Sequence, residues 1–351
     1  MRKTKIVLCG GGTAGHIMPH LALIDGLKKY FDEIHYIGVV GGMEKKLIGN
    51  ARDVIYHEIV SAKLIRALTL KNLAIPFKLT QGFIQARKLL KEINPDVIFS
   101  KGGYASIPVV WAAPRGCKVF IHESDMSLGL ANKICLSRAD KVLLTFENAK
   151  IKKGIYTGMP LRPQIYYGNK QKIFDKYNIG QRKVLLVMGG SLGAKKINEV
   201  LRQTLDKLTL RYDIIHITGK GNIDSRYNYQ GYFQIEFCDN IHDVYAASDL
   251  VVSRAGSTAI NELLALKKPM LLIPLPKDQS RGDQIQNAEY FKKLGLAKVL
   301  LQEDLTPQTL YESVIYLDAY KSQFVQKMQS IKYPDGRLKT LEILANAIKN
   351  G

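Results

Sequence analysis

The sequence has no apolar run long enough to cross a membrane and few cysteines. No stretch approaches the roughly 20 apolar residues that a transmembrane helix needs. The N-terminal segment 1–5, with three basic residues, precedes only four apolar residues, 6–9, so we expect a first strand there and not a secretion signal. The four cysteines, at positions 9, 117, 135 and 238, lack the spacing of metal ligands. We expect them to be buried thiols of a reducing cytoplasm.

Acidic residues are also scarce relative to basic ones. The 351 residues include 51 Lys and Arg but 31 Asp and Glu, a formal net charge of +20. This excess predicts an anionic partner: a phosphorylated substrate, an acidic membrane surface or nucleic acid. No motif that interleaves aromatic and basic residues supports nucleic acid. The length predicts two domains, and a composition with 46% hydrophobic residues indicates folded rather than disordered chain.

A glycine-rich turn follows the first predicted strand. Residues 10–15 read Gly-Gly-Gly-Thr-Ala-Gly, and His16 comes next, at the start of a predicted helix. Glycines let backbone N–H groups approach an anion at a helix N-terminus. An imidazole there is suited to act as a general base on a hydroxyl group. The alternative is an ordinary strand–turn–helix connection in which His16 only caps the helix or fills space in the packing.

The same arrangement begins again in the second half of the chain. Gly and Pro in residues 156–163 mark a boundary, and a second glycine turn at 189–194 follows a second apolar strand. Each further strand is separated from the next by a helix-length segment. We therefore predict an α/β protein with two doubly wound, parallel-sheet domains of Rossmann type facing each other across a cleft. The predicted strands are 6–9, 33–39, 53–59, 96–100, 118–123, 141–146, 183–188, 213–219, 233–237, 250–254 and 270–274.

The second half also contains a turn of small hydroxylated residues. Gly256, Ser257 and Thr258 follow a strand and enter a helix, with Glu262 in its first two turns. Such a turn suits a diphosphate, and nearby carboxylate or amide groups can bind sugar hydroxyls. The alternative is a simple helix cap with Glu262 in solvent.

Residues 64–93 alternate apolar and basic side chains. Part of this segment is expected to form an amphipathic helix on the sheet. The alternative is an exposed patch that enters an anionic bilayer surface. The residues proposed for that patch are Ile75, Phe77, Leu79 and Phe83.

Several motifs occur in one order that resembles the MurG family, the UDP-N-acetylglucosamine–lipid I transferases of bacterial peptidoglycan synthesis. The resemblance extends from about residue 6 to about residue 290. The motifs are the Gly12–His16 turn with Pro19, Gly102-Gly103-Tyr104, His122-Glu123, Thr157-Gly158 with Pro160 and Arg162, Gly189–Ala194 with Asn198, and Arg254-Ala255-Gly256 with Glu262 and Gln284.

The resemblance implies a GT-B fold and an inverting transfer of N-acetylglucosamine from UDP-GlcNAc to the muramyl 4-hydroxyl of lipid I, with no cofactor and no metal. It implies a peripheral enzyme on the cytoplasmic side of the cell membrane, and His16 as the base. The implied donor residues are Arg162, Gly189, Gly190, Ser191, Phe237, Cys238, Gly256, Ser257, Thr258, Glu262, Asp283 and Gln284. The implied residues between donor and acceptor are Thr13, Ala14, Gly15 and Asp125, and those at the acceptor diphosphate are Gly12, Thr13, Gly103 and Tyr104.

The expected domains are 1–160 for the acceptor and membrane, 161–325 for UDP-GlcNAc, and a helical segment 326–351 that returns to the first. Four positions depart from the family pattern and leave fine acceptor selectivity open. At Ala14 the family usually has Gly, and at Leu192 it commonly has Gln. Asp125 stands near a position where the family has Asn, and at Asp283 the family often has an amide or His.

Three other functions compete with this one. A related transferase could place a UDP-sugar on another lipid, such as diacylglycerol. A nicotinamide-dependent oxidoreductase needs an acidic residue at the end of the second strand, but this chain has residues 38–42, Gly-Val-Val-Gly-Gly, at that place. A non-catalytic membrane-docking subunit would leave His16, Ser191 and Glu262 without a common role.

Overall fold

The computed structural model describes residues 2–12, 14–49, 51, 53–62, 75–147, 151–190 and 193–349. The contacts divide the chain into two compact units. Unit 1 comprises Met1–Arg162 and Pro334–Gly351, and unit 2 comprises Pro163–Tyr333.

Unit 1 is built on a seven-stranded, wholly parallel sheet with the order β3-β2-β1-β4-β5-β6-β7. The order reverses between β1 and β4, which is the switch point where ligands bind in open α/β sheets. The strands are β1 Lys5–Cys9, β2 Glu33–Val39, β3 Val54–Ile59, β4 Val97–Ser100, β5 Lys118–Glu123, β6 Lys141–Leu144 and β7 Gly154–Tyr156.

Helices cover both faces of this sheet because its strands are apolar on both sides. Along β1, Ile6 and Leu8 belong to one core cluster and Val7 and Cys9 to the other. This continuous apolar pattern is typical of parallel strands buried on both faces. The helices are α1 Ala14–Leu27, α2 Glu44–Ile48, α3 Ile75–Ile93, α4 Ser106–Trp111, α5 Leu130–Cys135 and, at the end of the chain, α14 Gly336–Lys349.

Unit 2 repeats the plan with a six-stranded parallel sheet in the order β10-β9-β8-β11-β12-β13. Its strands are β8 Lys183–Met188, β9 Tyr212–Ile217, β10 Tyr232–Ile235, β11 Leu250–Ser253, β12 Met270–Leu272 and β13 Lys298–Val299. Its helices are α6 Lys170–Tyr177, α7 Lys195–Arg202, α8 Leu205–Leu208, α9 Ile241–Ala247, α10 Ser257–Ala265, α11 Asp283–Lys293, α12 Pro307–Ala319 and α13 Lys321–Ser330, with short 3₁₀ turns at Pro163–Tyr167 and Gln302–Asp304.

The prediction of an α/β protein with two doubly wound, parallel-sheet domains is confirmed, and each predicted strand coincides with an observed one. The sequence patterns missed β7 and β13, which have three and two residues, because so short a run contains no readable alternation. Helix α14 packs on α1, and its Leu341 and Leu344 enter the core of unit 1. In the described parts of the chain no helix is long and apolar enough to span a membrane.

Candidate functional site at the carboxyl ends of the strands

The turns that follow β1 and β4 pack directly against each other. Gly103 has φ +82°, and a Cβ there would collide with the carbonyl oxygen of Gly11. Gly12 has φ +99°, and a Cβ there would meet the ring of Tyr104. Both positions thus require glycine. The structure therefore brings together Gly12, Gly103 and Tyr104, which were predicted for the acceptor, while Thr13 lies outside the described residues.

Two histidines of α1 have different surroundings. His16 is half-buried in the first turn of the helix, after Gly15, which is also half-buried. His20 is fully buried, and its Nε2 lies 3.2 Å from the carbonyl oxygen of Cys9. Burial, with the nearby Lys101 charge, lowers the pKa of His20 to about 3. His20 is therefore a neutral core residue, and His16 is the more accessible imidazole of α1.

Sequence reasoning missed Glu44, the first residue of α2. Its carboxylate is fully buried, and Oε1 accepts a hydrogen bond from the Val39 N–H at 2.9 Å. A Cβ on Gly11 or Gly42 would collide with this carboxylate. Among the described residues Oε2 has no hydrogen-bond partner. The only sequence signal was an acidic residue just after Gly41-Gly42, and that is common at helix starts.

Lys101 was also missed, although it precedes the second glycine pair. Its side chain is buried at the end of β4. Nζ lies 2.5 Å from Nδ1 of His122, at the end of β5, and donates to Oγ of Ser124 at 2.7 Å. Burial lowers the pKa of Lys101 to about 7, although Glu123 and Asp125 oppose that shift. The sequence did contain a signal for this residue, because a lysine between a buried strand and two glycines is unusual enough to single out.

Glu123 organises the loop that contains Asp125. Its carboxylate accepts hydrogen bonds from the Asp125 N–H at 3.0 Å, the Gly129 N–H at 2.8 Å and Asn132 Nδ2 at 2.9 Å. Burial is the largest effect on its pKa, which is raised. Glu123 therefore fixes the backbone from which Asp125 projects.

In unit 2 a buried polar network lies next to the glycine turn that follows β8. Asn198 Nδ2 donates to the Thr218 carbonyl at 2.9 Å, and its Oδ1 lies 2.9 Å from His216 Nε2. His216 Nδ1 lies 2.7 Å from the Tyr232 hydroxyl, and burial lowers its pKa to about 3. The motif residue Asn198 therefore holds neighbouring strands. Gly189 and exposed Gly190 begin the turn, while Ser191 and Leu192 lie outside the described residues.

The N-terminus of α10 leaves open space for a ligand. Gly256 precedes the helix with φ −70° and no side-chain cap, and a Cβ there would meet nothing within 4 Å. Ser257 is buried and Thr258 half-buried beside it. Glu262 is only 7% exposed, and its Oε2 accepts a hydrogen bond from the Tyr245 hydroxyl at 3.0 Å. Glu262 is therefore a held carboxylate and not the solvated side chain of the alternative interpretation.

Arg254 and Gln284 shape the loop after β12. Buried Arg254 donates to the carbonyls of Ile273 and Pro274 at 3.1 and 3.2 Å, and burial lowers its pKa to about 10. Gln284 Oε1 accepts from the Leu275 N–H at 3.0 Å. Both side chains therefore hold this loop through its backbone.

The remaining predicted donor residues have less defined surroundings. Asp283, at the start of α11, forms an ion pair with Arg281 at 3.4 Å. Phe237, two residues past β10, is 63% exposed, and Cys238 is half-buried. The Nε atom of Arg162 is buried and has no hydrogen-bond partner among the described residues. An exposed aromatic ring next to a strand end suits stacking on a planar base.

The residues of α3 that were predicted for the membrane patch differ in exposure, and not all of them face solvent. Phe77 is 79% exposed, Ile75 and Leu79 are half-buried, and Phe83 packs against the core of unit 1. Ile84, which the prediction omitted, is 62% exposed. Because Phe77 and Ile84 are seven residues apart, they lie on one face of the helix. We call Phe77 and Ile84 the outer apolar pair.

Within the described ranges, no group of three or more His, Cys, Asp and Glu side chains is arranged to hold a metal ion.

The two parallel-sheet units define a fold class that the chain shares with two-domain glycosyltransferases of known structure. The chain is similar in fold to the crystal structure of Acinetobacter baumannii MurG, with a TM-score of 0.78 and 23% identity over 98% of this chain and 99% of that one. It is also similar in fold to the calicheamicin glycosyltransferase CalG4, with a TM-score of 0.73 and 14% identity over 100% of this chain and 99% of that one.

Sequence comparison narrows the class. The models "Glycosyltransferase family 28 N-terminal domain" and "Glycosyltransferase family 28 C-terminal domain" match residues 6–144 and 184–340. The chain is 44% identical over 357 residues to the UDP-N-acetylglucosamine–N-acetylmuramyl-(pentapeptide) pyrophosphoryl-undecaprenol N-acetylglucosamine transferase of Clostridium botulinum (strain Alaska E43 / Type E3), covering 99% of each chain. It is 47% identical over 332 residues to transferase 2 of that name from Bacillus thuringiensis subsp. konkukian (strain 97-27), covering 91% of this chain and 94% of the relative. The chain belongs to this family of glycosyltransferases, the MurG family.

Proposed function

We propose that this enzyme transfers N-acetylglucosamine from UDP-GlcNAc to the muramyl 4-hydroxyl of lipid I and so forms lipid II. Membership of the family, at 44% identity over almost the full length, carries this conclusion. The acceptor named for the relatives is a pyrophosphoryl lipid, and the net charge of +20 suits an anionic substrate.

The donor is proposed to bind unit 2. The open N-terminus of α10 supplies backbone N–H groups and the hydroxyls of Ser257 and Thr258 for the diphosphate. Glu262, whose carboxylate is held by Tyr245, would accept hydrogen bonds from the ribose hydroxyls. Phe237 and Cys238 would face uracil, and Gln284 and Asp283 would lie at the sugar. Such donors stabilise the negative charge that develops on the departing diphosphate.

The acceptor is proposed to bind unit 1, at the packed turns that contain Gly12 and Gly103. His16 takes the proton of the acceptor hydroxyl while its oxygen bonds to C1 of the sugar. The bond between C1 and the UDP oxygen breaks, and UDP leaves with the bonding electrons. This displacement inverts C1, and it requires neither a metal nor a cofactor because helix N-termini and hydroxyls receive the charge.

We further propose that unit 1 faces the inner leaflet of the cell membrane as a peripheral surface. Unit 1 contains 28 Lys and Arg against 14 Asp and Glu, so it contributes +14 of the formal +20. The outer apolar pair on α3 stands among Lys78, Arg87 and Lys88, which are exposed. Exposed apolar residues among cations are the features that bind anionic lipid surfaces.

Incubation with UDP-GlcNAc and a lipid I analogue tests the proposed activity, with UDP release and the glycosylated lipid measured together. We expect both to appear in equal amounts. A diacylglycerol acceptor in a parallel reaction distinguishes the related lipid transferases. Glycosylation of diacylglycerol but not of the lipid I analogue would contradict the proposal.

A further inference from the structure

The buried lysine at the end of β4 has no assigned part in the reaction, although it lies directly behind the turns proposed for the acceptor. The Lys101 N–H donates to the Cys9 carbonyl at 2.9 Å, which joins β4 to the end of β1. A Cβ on Gly10 would come close to the Lys101 side chain, and the next residues, Gly102 and Gly103, turn over Gly11. The side chain therefore begins next to the first glycine turn, and its amine reaches the end of β5.

The amine of Lys101 connects two neighbouring strand ends. Its Nζ contacts His122 Nδ1 and Ser124 Oγ, and Ser124 is the residue before Asp125. Because the lysine donates to Nδ1, the neutral imidazole of His122 must have its proton on Nε2, which lies 3.4 Å from the Gly158 carbonyl. Lys101 thus fixes the tautomer of His122 and the start of the 124–129 loop.

Burial makes the charged form of Lys101 costly. A buried ammonium loses its hydration, and the two hydrogen-bond partners of Nζ among the described residues are neutral groups. An ammonium has three donors. The negative charges of Glu123 and Asp125 favour the charged amine, and a diphosphate bound at the turns would favour it further.

We propose that Lys101 is a positioning residue for the acceptor, whose buried charge favours the pyrophosphoryl group and whose hydrogen bonds hold His122 and the Ser124–Asp125 segment. This inference rests on the proposed function. It adds to the acceptor site a residue that acts through the glycine turns after β1 and β4 and through the 124–129 loop.

The titration of this group gives the reaction a characteristic pH dependence. The ionisable groups that face Lys101 are His20 from α1, His122 and Glu123 from β5, and Asp125 from the loop. Burial lowers the pKa of both histidines, to about 3 for His20 and well below the usual value for His122. Neither histidine therefore titrates near neutral pH. Because the pKa of Lys101 is about 7, its charge is present below that pH and lost above it. Acceptor efficiency should fall as the pH rises through this range.

The test compares Lys101→Met with Lys118→Met, which makes the same change at the exposed amino end of β5. The full chain is assayed with UDP-GlcNAc and a lipid I analogue from pH 6 to 9, with the thermal midpoint and UDP-GlcNAc affinity measured alongside. We expect Lys101→Met to lower kcat/KM for the acceptor by about 10-fold or more at pH 6, to remove the alkaline decline and to leave donor affinity unchanged. Lys118→Met should match the wild type.

Ser124→Ala provides a second test that keeps the lysine. It removes one partner of Nζ, and we expect a loss in acceptor kcat/KM of about 3-fold or more. The inference is overturned if Lys101→Met matches Lys118→Met, or if donor affinity falls as much as acceptor efficiency. If Lys101→Met does not fold, an unchanged Ser124→Ala overturns it. A wild type that glycosylates no lipid I analogue overturns the proposed function, and this inference with it.

Discussion

The two units share a fold but differ in what they bury at the carboxyl ends of their strands. Unit 1 buries a set of ionisable side chains there, namely His20, Glu44, Lys101, His122 and Glu123. The corresponding edge of unit 2 also buries ionisable side chains, namely His216, Asp243, Arg254 and Glu262. Its buried cation is an arginine whose pKa is lowered only to about 10, whereas the pKa of Lys101 in unit 1 is lowered to about 7. The buried cation of unit 1 therefore loses its charge near neutral pH, whereas the buried cation of unit 2 keeps its charge there. This difference supports the proposal that the acceptor binds unit 1 and the nucleotide binds unit 2.

The largest effect is expected from His16→Ala. Removing a general base lowers the rate by about 10²- to 10⁴-fold, so transfer to the lipid I analogue should fall by at least 10²-fold with the thermal midpoint unchanged. UDP release and glycosylated lipid measure it. A variant that retains wild-type transfer would show that the base is not His16.

A smaller loss is expected from Glu262→Ala. It removes the proposed ribose contact and leaves the buried Tyr245 hydroxyl without this acceptor. We expect the KM for UDP-GlcNAc to rise by about 10- to 100-fold. Glu199→Ala, on a more exposed carboxylate of α7, is the control and should leave KM unchanged. Equal KM values in the two variants would argue against a donor role for Glu262.

Two glycine substitutions sharpen the contrast between the turns. Gly103→Ala forces a Cβ onto the Gly11 carbonyl at positive φ, and we expect it to destabilise the fold by about 1–3 kcal/mol. Gly256→Ala adds a methyl group into open space at ordinary φ, so its thermal midpoint should stay unchanged while donor affinity falls. Thermal unfolding and UDP-GlcNAc titration separate the two. If both variants lost similar amounts of stability, the proposed difference between the packed turn at Gly103 and the open turn at Gly256 would be wrong.

The smallest effect is expected at the membrane. Replacing the outer apolar pair, Phe77 and Ile84, with Ser should weaken binding to vesicles containing anionic lipid by about 10-fold. Leu210→Ser changes a residue that is 80% exposed on unit 2 and should leave binding unchanged. Vesicle sedimentation measures both. If Leu210→Ser weakens binding equally, unit 1 is not the membrane face.

The sequence allowed the strands and glycine turns to be predicted because their signals are local. Residues 33–39 and 183–188 are predicted and observed with the same bounds. The partners of the site residues depend on long-range packing instead. Tyr245, which holds Glu262, lies on a different helix, and Lys101 meets His122 only because β4 and β5 are neighbours in the sheet. Neither pairing leaves a trace in residue spacing. Phe83, which was predicted for the exposed patch, packs on the core, and the neighbouring Ile84 is exposed, because one residue rotates a side chain about 100° around a helix.

Equilibrium binding of UDP-GlcNAc to His16→Ala and Glu262→Ala tests most directly the assignment of the two substrates to the two units. Titration calorimetry measures affinity without requiring turnover. The assignment predicts that His16→Ala binds UDP-GlcNAc as the wild type does, whereas Glu262→Ala binds it about 10-fold or more weakly. An equal loss of affinity in both variants, or a loss confined to His16→Ala, would contradict it.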